Sequence, residues 1–215
     1  MDQVLKKLKD GIVRFQNSVY PAQAEMYQEA VSRPQQPAAL IVTCADSRID
    51  PELITQSHPG EIFVTRNIGN LVPAYGEMLG GVSAVIEYAV SALKVKHVAI
   101  CGHSDCGAMK ALLDPASLDT MSTVKTWMRN AEAALSVANS LKEDGEDAKQ
   151  KLARLTEENV LLQLQHLRTH PSVAGAIARN ELSLSGWVYD IGTGQVRISE
   201  NGERKFVQVA EGVNA

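Results

Sequence analysis

Aromatic residues are scarce, 5% of the 215-residue chain, and cysteine is scarcer still, at three. So few cysteines, and an odd number, exclude a disulfide scaffold and leave the thiols as ligands, nucleophiles or core filler. No apolar run reaches the roughly 18 residues of a membrane-spanning helix, and the opening Met1-Asp2-Gln3-Val4-Leu5-Lys6-Lys7 lacks the apolar stretch of a secretory leader. A cytoplasmic protein with no membrane role is the expectation. Positive charge is not in excess, since 21 Lys and Arg face 25 Asp and Glu for a formal net charge of -4. Nucleic-acid binding, which needs a basic surplus, is therefore excluded. The rest is ordinary: 45% hydrophobic and 21% charged residues are a globular composition. At this length a single domain over 1–215 buries roughly 70% of its unfolded surface and needs no metal merely to form a core.

Residues 1–33 read as a helical arm of two helices. Val4, Leu5, Leu8, Ile12, Val13 and Phe15 give the first a broad apolar face, and the second follows Pro21. Pro34-Gln35-Gln36-Pro37 then breaks the helix. Over 35–113, short apolar runs end in polar turns: 38–43 into Cys44-Ala45-Asp46-Ser47-Arg48, 61–65 into Arg66-Asn67-Ile68-Gly69-Asn70, and 97–101 into Gly102-His103-Ser104-Asp105-Cys106-Gly107. Between the last two, Val82, Val85, Ile86, Ala89 and Leu93 recur at helical spacing after Gly80-Gly81, a pair that permits close backbone approach. Strand, helix, strand implies parallel pairing. The predicted fold is thus α/β, a parallel-centred sheet flanked by helices and preceded by the arm. Residues 114–215 read as helices, with a charged surface turn at 142–147, and then as C-terminal strands at 182–190, 195–198 and 205–208.

In open parallel sheets, sites form beyond the carboxyl ends of strands, where Cys44, Arg66 and His103 all fall. Cys44, Asp46, His103 and Cys106 are residue types that zinc prefers, and His-x-x-Cys lets two ligands of one turn face one ion. That pair alone is a weak signal, and buried free thiols are the commonest state of cysteine. Such a role suits Cys101, in mid-strand, better than Cys44 or Cys106 in polar turns.

Cys44-Ala45-Asp46-Ser47-Arg48 followed by His103-Ser104-Asp105-Cys106-Gly107 resembles the β-class carbonic anhydrases, with Arg66-Asn67-Ile68-Gly69-Asn70, Gly80-Gly81 and Ile86-Glu87-Tyr88-Ala89 at similar positions. Gly186-Trp187-Val188-Tyr189-Asp190 is similar to the bacterial, plant-like branch, including enzymes encoded beside cyanate degradation. The resemblance implies Zn2+ held by Cys44, His103 and Cys106, an Asp46-Arg48 catalytic dyad, and reversible hydration of CO2 to bicarbonate by attack of zinc-bound hydroxide. It also implies a substrate cleft of Gln35, Phe63, Tyr88 and Gly107, drawn partly from a neighbouring subunit, so that the functional unit is a dimer or higher homo-oligomer. Relatives that hydrolyse CS2 or COS share this zinc site.

Two thiolates and a neutral imidazole cancel the zinc charge and leave a fourth position open. Arg48, planar and permanently charged, suits a bidentate grip on Asp46 that keeps the carboxylate off the metal. Were it released, Asp46 would become the fourth ligand and close the site. The family type in which bicarbonate drives that closure carries Trp three residues before the first zinc cysteine. Here that residue is Ile41, although Arg66 and Tyr189 match the rest of the regulatory pocket, so the always-open type is expected. Two alternatives stay in play: a closed structural site that recruits Cys101, and a noncatalytic zinc-stabilised assembly. A structural site has no use for the Asp46-Arg48 pair. His166 and His170, four apart near a helix end, read as charges favoured by the helix dipole, and His58 as a turn residue.

Overall fold

A computed structural model describes residues 2–77, 80–200 and 202–209. The ends of the assigned domain, Met1 and 210–215, lie outside them. The chain opens with α1 (Asp2–Arg14), a π-turn, α2 (Tyr20–Ala22) and α3 (Ala24–Ser32), none of which contains a buried residue. The expected arm is present, and its apolar residues Val4, Leu5, Leu8 and Ile12 are exposed. Then come β1 (Ala39–Cys44), α4 (Pro51–Thr55), β2 (Ile62–Asn67), α5 (Gly81–Glu87), β3 (His97–His103) and α6 (Gly107–Leu113). They are followed by α7 (Ser122–Met128), α8 (Glu132–Ser140), α9 (Ala148–Thr169), α10 (Pro171–Ala178), β4 (Ser183–Tyr189), β5 (Val196–Glu200) and β6 (Val207–Gln208). Among the described residues, no helix is long and apolar enough to cross a membrane.

The strands form one sheet in the order β2-β1-β3-β4-β5-β6. Pairings from β2 to β4 are parallel, and β5 and β6 add antiparallel at one edge. β1 is buried from Leu40 onward because it is flanked on both sides, whereas β2, at the edge, is only half-buried. From β1 the chain moves to one side to make β2 and returns on the other to make β3. The connections leaving β1 and β3 therefore diverge, and such a switch point leaves a crevice at the strand ends.

One face of the sheet, with Leu40, Val42, Val98, Ile100, Leu184 and Val188, packs against Ile86 and Ala89 near α5, Val160, Leu164 and Leu167 of α9, and Val173 of α10. Full burial of each large side chain contributes about 1.5–3 kcal/mol. Two strand glycines bring α9 close. A Cβ on Gly186 would stand 2.6 Å from Val160 Cγ1, and one on Gly102 would stand 2.8 Å from Val160 Cγ2. A polar stripe on α9 straps the segment after β2. Asn159 donates to the Gly69 carbonyl at 3.1 Å and Gln163 accepts from Val72 N–H at 2.8 Å. His166 Nδ1 and His170 Nε2 reach the carbonyls of Val72 and Pro73 at 2.8 and 3.0 Å.

Several expectations are corrected. His170 is not a dipole-favoured cation: burial lowers its pKa, and its ring donates to a carbonyl. β3 runs two residues past Cys101, so His103 is a strand residue rather than part of the turn. Nothing described lies within 4 Å of a Cβ placed on Gly80 or Gly81, so the pair makes no close approach there. The 142–147 turn is not wholly solvated, because the Glu146 side chain is 5% exposed and paired with Arg154. Asp147 closes the same turn by capping α9 reciprocally with Gln150.

Candidate metal centre

Cys44 is the last residue of β1, His103 the last of β3, and Cys106 the residue before α6. β1 and β3 are neighbours in the sheet, which sets the first two side by side. Asp105 brings the third into range by taking a left-handed φ of 60°, a conformation in which short polar side chains are tolerated. The Cys44 and Cys106 sulfurs and a His103 ring nitrogen all lie within 4.8 Å of one another, and all three residues are buried.

The hydrogen bonds leave these atoms poised for a cation. His103 Nδ1 lies 2.8 Å from the Ser104 carbonyl, which can only accept, so the proton sits on Nδ1. Nε2 is then a lone-pair donor, and it is buried with no hydrogen-bond partner. A buried polar atom left unpaired costs on the order of 1–3 kcal/mol, a debt that a metal ion removes. Backbone N–H groups of Gly69 and Asp46 point at the Cys44 sulfur, and those of Ala108 and Met109 at Cys106. Oriented amides of this kind favour thiolates. The Cys44 thiol is lowered well below its ordinary value, chiefly because the Cys106 thiol donates to it, with burial opposing. Cys106, which keeps the shared proton, is pushed up by the same contact and by burial. Two sulfurs and one imidazole within a few ångströms suit the tetrahedral, borderline-soft Zn2+ and leave one position open.

Beside the triad, Arg48 grips Asp46 bidentately, with Nε 2.9 Å from Oδ1 and Nη2 2.7 Å from Oδ2. The Arg48 backbone N–H adds a 3.0 Å bond to Oδ1. The guanidinium holds the Asp46 carboxyl well below the usual carboxylate range, against a smaller opposing effect of burial. Asp46 is therefore an anion that only accepts. Arg66 secures the loop from behind, with Nε 3.0 Å from the Cys44 carbonyl and Nη2 2.6 Å from that of Asp46. Gly107 opens α6 directly after Cys106 and is exposed.

Gln35, Phe63 and Tyr88 are not brought to this end of the sheet within one chain. Phe63 pairs with Leu40 while Cys44 pairs with Asn67, four residues or about 13 Å along the strand. Tyr88 packs on Phe63 with ring centroids 6.2 Å apart, and together with Gln35 it lines a cavity of about 580 Å³. Cys101 stays out of the triad. It packs with Ile41 and Ala99, and burial pushes its thiol up to about 12. Ile41 is buried there, with Trp187 and Tyr189 packed against the same cluster.

Sequence reasoning assigned no role to Ser104, Asp105 or Lys110. Ser104 orients His103 and is itself pinned, its N–H to the Tyr189 carbonyl at 2.8 Å and its Oγ to Ile191 N–H at 2.9 Å. Neither contact has a local sequence signal, because each joins residues more than eighty positions apart.

Comparisons with known proteins bear on this geometry. Residues 39–196 match the family profile described as carbonic anhydrase. The chain is 47% identical over 207 residues to a carbonic anhydrase of Pseudomonas aeruginosa, covering 96% of this chain and 93% of that one. Its structure resembles that of the β-carbonic anhydrase CcaA, with a TM-score of 0.91 and 34% identity over 99% of this chain and 95% of that one. It also resembles a tetrameric β-carbonic anhydrase of Sordaria macrospora, with a TM-score of 0.79 and 29% identity over 98% and 100% of the two chains.

Proposed function

The chain belongs to the β-class carbonic anhydrases, and from that premise we propose that it is a zinc enzyme that hydrates CO2 reversibly, with Cys44, His103 and Cys106 as ligands and Asp46 and Arg48 as catalytic dyad. The observation that carries the zinc reading is the orphaned His103 Nε2 facing two amide-cradled sulfurs. When bound, Zn2+ supplies Lewis acidity that acidifies a water molecule at its open position. Two thiolates and a neutral imidazole would cancel the charge of the ion they hold, so they would acidify such a water less than three neutral histidines do.

The protein's own groups do the orienting. Asp46, acceptor-only under the hold of Arg48, would accept the hydrogen bond of a nucleophilic O–H and so orient its lone pair toward the CO2 carbon. Arg48 keeps Asp46 turned away from the ligand triad, and with Ile41 in place of the diagnostic Trp the site is read as always open. Ser104 keeps His103 in the tautomer that presents Nε2. Gly107, with no side chain at the mouth of α6, leaves room beside Cys106. Gln35, Phe63 and Tyr88 line the CO2 cleft of a neighbouring copy, since Phe63, on which Tyr88 packs, lies four strand residues, about 13 Å, from the level of Cys44. On this reading residues 1–215 are one domain, and the enzyme is a cytoplasmic homo-oligomer of at least two copies. The exposed apolar face of α1 supports the assembly.

Stopped-flow CO2 hydration, with metal content measured in parallel, tests the reading. The zinc-loaded protein is expected to be active, and Asp46→Asn to lose about 10²-fold or more in kcat while keeping its zinc. A zinc-loaded protein inert toward CO2 in alkaline buffer overturns it.

A further inference from the structure

The ion pair between Arg48 and Asp46 does not stand alone. Arg48 Nη1, the nitrogen that Asp46 leaves free, lies 2.9 Å from Asp105 Oδ2. Arg48 Nη2 also approaches the Asp105 backbone carbonyl at 3.4 Å. The other Asp105 oxygen, Oδ1, pairs with Lys110 one turn into α6. The four side chains alternate in sign as Asp46, Arg48, Asp105 and Lys110, come from the turn after β1, the turn after β3 and the helix beyond it, and sum to zero charge.

Resting on the reading of Asp46 and Arg48 as the dyad, we propose that Asp105 is a positioning residue for catalysis, clamping the far edge of the Arg48 guanidinium so that Nε and Nη2 stay presented to Asp46. The Arg48 side chain is 45% exposed and long, with several torsions, whereas that of Asp46 is 15% exposed and has only two. Without a second anchor, the mobile partner of the dyad is the arginine, and each excursion frees Asp46 to turn toward the ligand triad. Asp105 supplies that anchor without competing for the same edge, because it takes Nη1 rather than the nitrogens that face Asp46. A second carboxylate on one guanidinium would by itself loosen the first, and Lys110 offsets this by neutralising Asp105. The turn alone does not call for this arrangement. A φ of 60° is served equally well by Gly or Asn, and neither would carry a charge to two other elements.

That conformational fact also supplies the test. Asp105→Gly keeps the backbone of the turn and deletes the clamp, while Asp105→Asn keeps an acceptor oxygen and removes only its charge. Two measurements are made on each: CO2 hydration, resolved into kcat and KM, and ¹⁵N NMR of the Arg48 side chain in zinc-free protein, which reads rotation of the guanidinium without any metal. Asp105→Gly is expected to lose about two- to fivefold in kcat, the weight of a half-exposed ion pair, with KM unchanged and guanidinium rotation accelerated. Asp105→Asn is expected to fall between it and the wild type on both measurements. Wild-type kcat and rotation in Asp105→Gly, beside an Asp46→Asn variant that is crippled, overturn the role of Asp105 alone. Wild-type turnover in Asp46→Asn overturns the dyad, and this inference with it.

Discussion

Val160 sits on the sheet with one methyl over each of two glycines, and Gly186→Ala measures how much that contact matters. The new methyl would stand 2.6 Å from Val160 Cγ1 and 3.1 Å from Leu164 Cδ1. Carbon atoms pack best at about 3.5–4.0 Å, so one side must retreat by about 1 Å. Rotating Val160 is costly, since a β-branched side chain inside a helix has one strongly preferred rotamer. Sliding α9 is resisted by Asn159 and Gln163, whose bonds to Gly69 and Val72 are buried. Overpacking of this kind costs about 1–3 kcal/mol. In a chain of this size each kcal/mol lowers Tm by about 2–4 °C, so a loss of about 2–12 °C is expected in scanning calorimetry. Val160→Ala removes both methyls, and the Gly186→Ala/Val160→Ala double variant is expected to melt above the sum of the two single losses, because the mutations share one contact. An unchanged melting temperature in Gly186→Ala, or strict additivity in the double variant, refutes the reasoning.

Two further outcomes follow from the same residues. Cys101→Ala is expected to leave zinc content unchanged by elemental analysis, since Cys101 packs with Ile41 and Ala99 instead of joining the triad; loss of the metal favours a closed four-ligand site. Burial lowers the pKa of both His97 and His170, so their neutral forms are favoured in the folded state. The unfolded chain then binds more protons as pH falls below about 6.5, and this part of the stability is present above that value and lost as pH drops through the lowered folded values. Urea midpoints from pH 7 to about pH 5 are expected to fall less steeply in His170→Gln than in the wild type. An unaltered slope removes His170 from that account.

The parallel core was legible because its signal is local. Residues 38–43 and 97–101 are short apolar runs that stop abruptly at polar turns, and a helical period between strands leaves parallel pairing as the economical topology. Once the strands are placed, Cys44 and His103 must share an edge. The spacing of Cys106 from His103 is a weak signal by itself, and the family resemblance is what singled it out. The parts that sequence did not yield are those in which one side chain answers to several distant groups. Glu146 looked solvated because its neighbours are charged, yet Arg154, eight residues on, draws it into a pair with a side chain 16% exposed. His170 looked like a helix-end cation because the helix dipole was the only local field in view. Its partner is the Pro73 carbonyl, 97 residues away, and burial outweighs the dipole.

Arg48 shows the same limit at the site itself. Its pairing with Asp46 is two residues long and visible in the motif, whereas its pairing with Asp105 spans 57 residues. Asp105 was in plain sight between two ligands but without a partner to give it meaning. A motif names the groups that meet the substrate or metal, because their types and spacings are set by that chemistry. The groups that hold them still are chosen by the fold, from whichever residues the strand ends bring near. Here Ser104, Asp105 and Lys110, which sequence reasoning left without a role, all lie within four residues of a proposed ligand, with Ser104 contacting His103 and Asp105 joining Arg48 and Lys110 across separate elements. The region immediately beside a legible motif is therefore where structure adds most to the functional reading, and the Arg48–Asp105 contact is the place at which that addition is measurable.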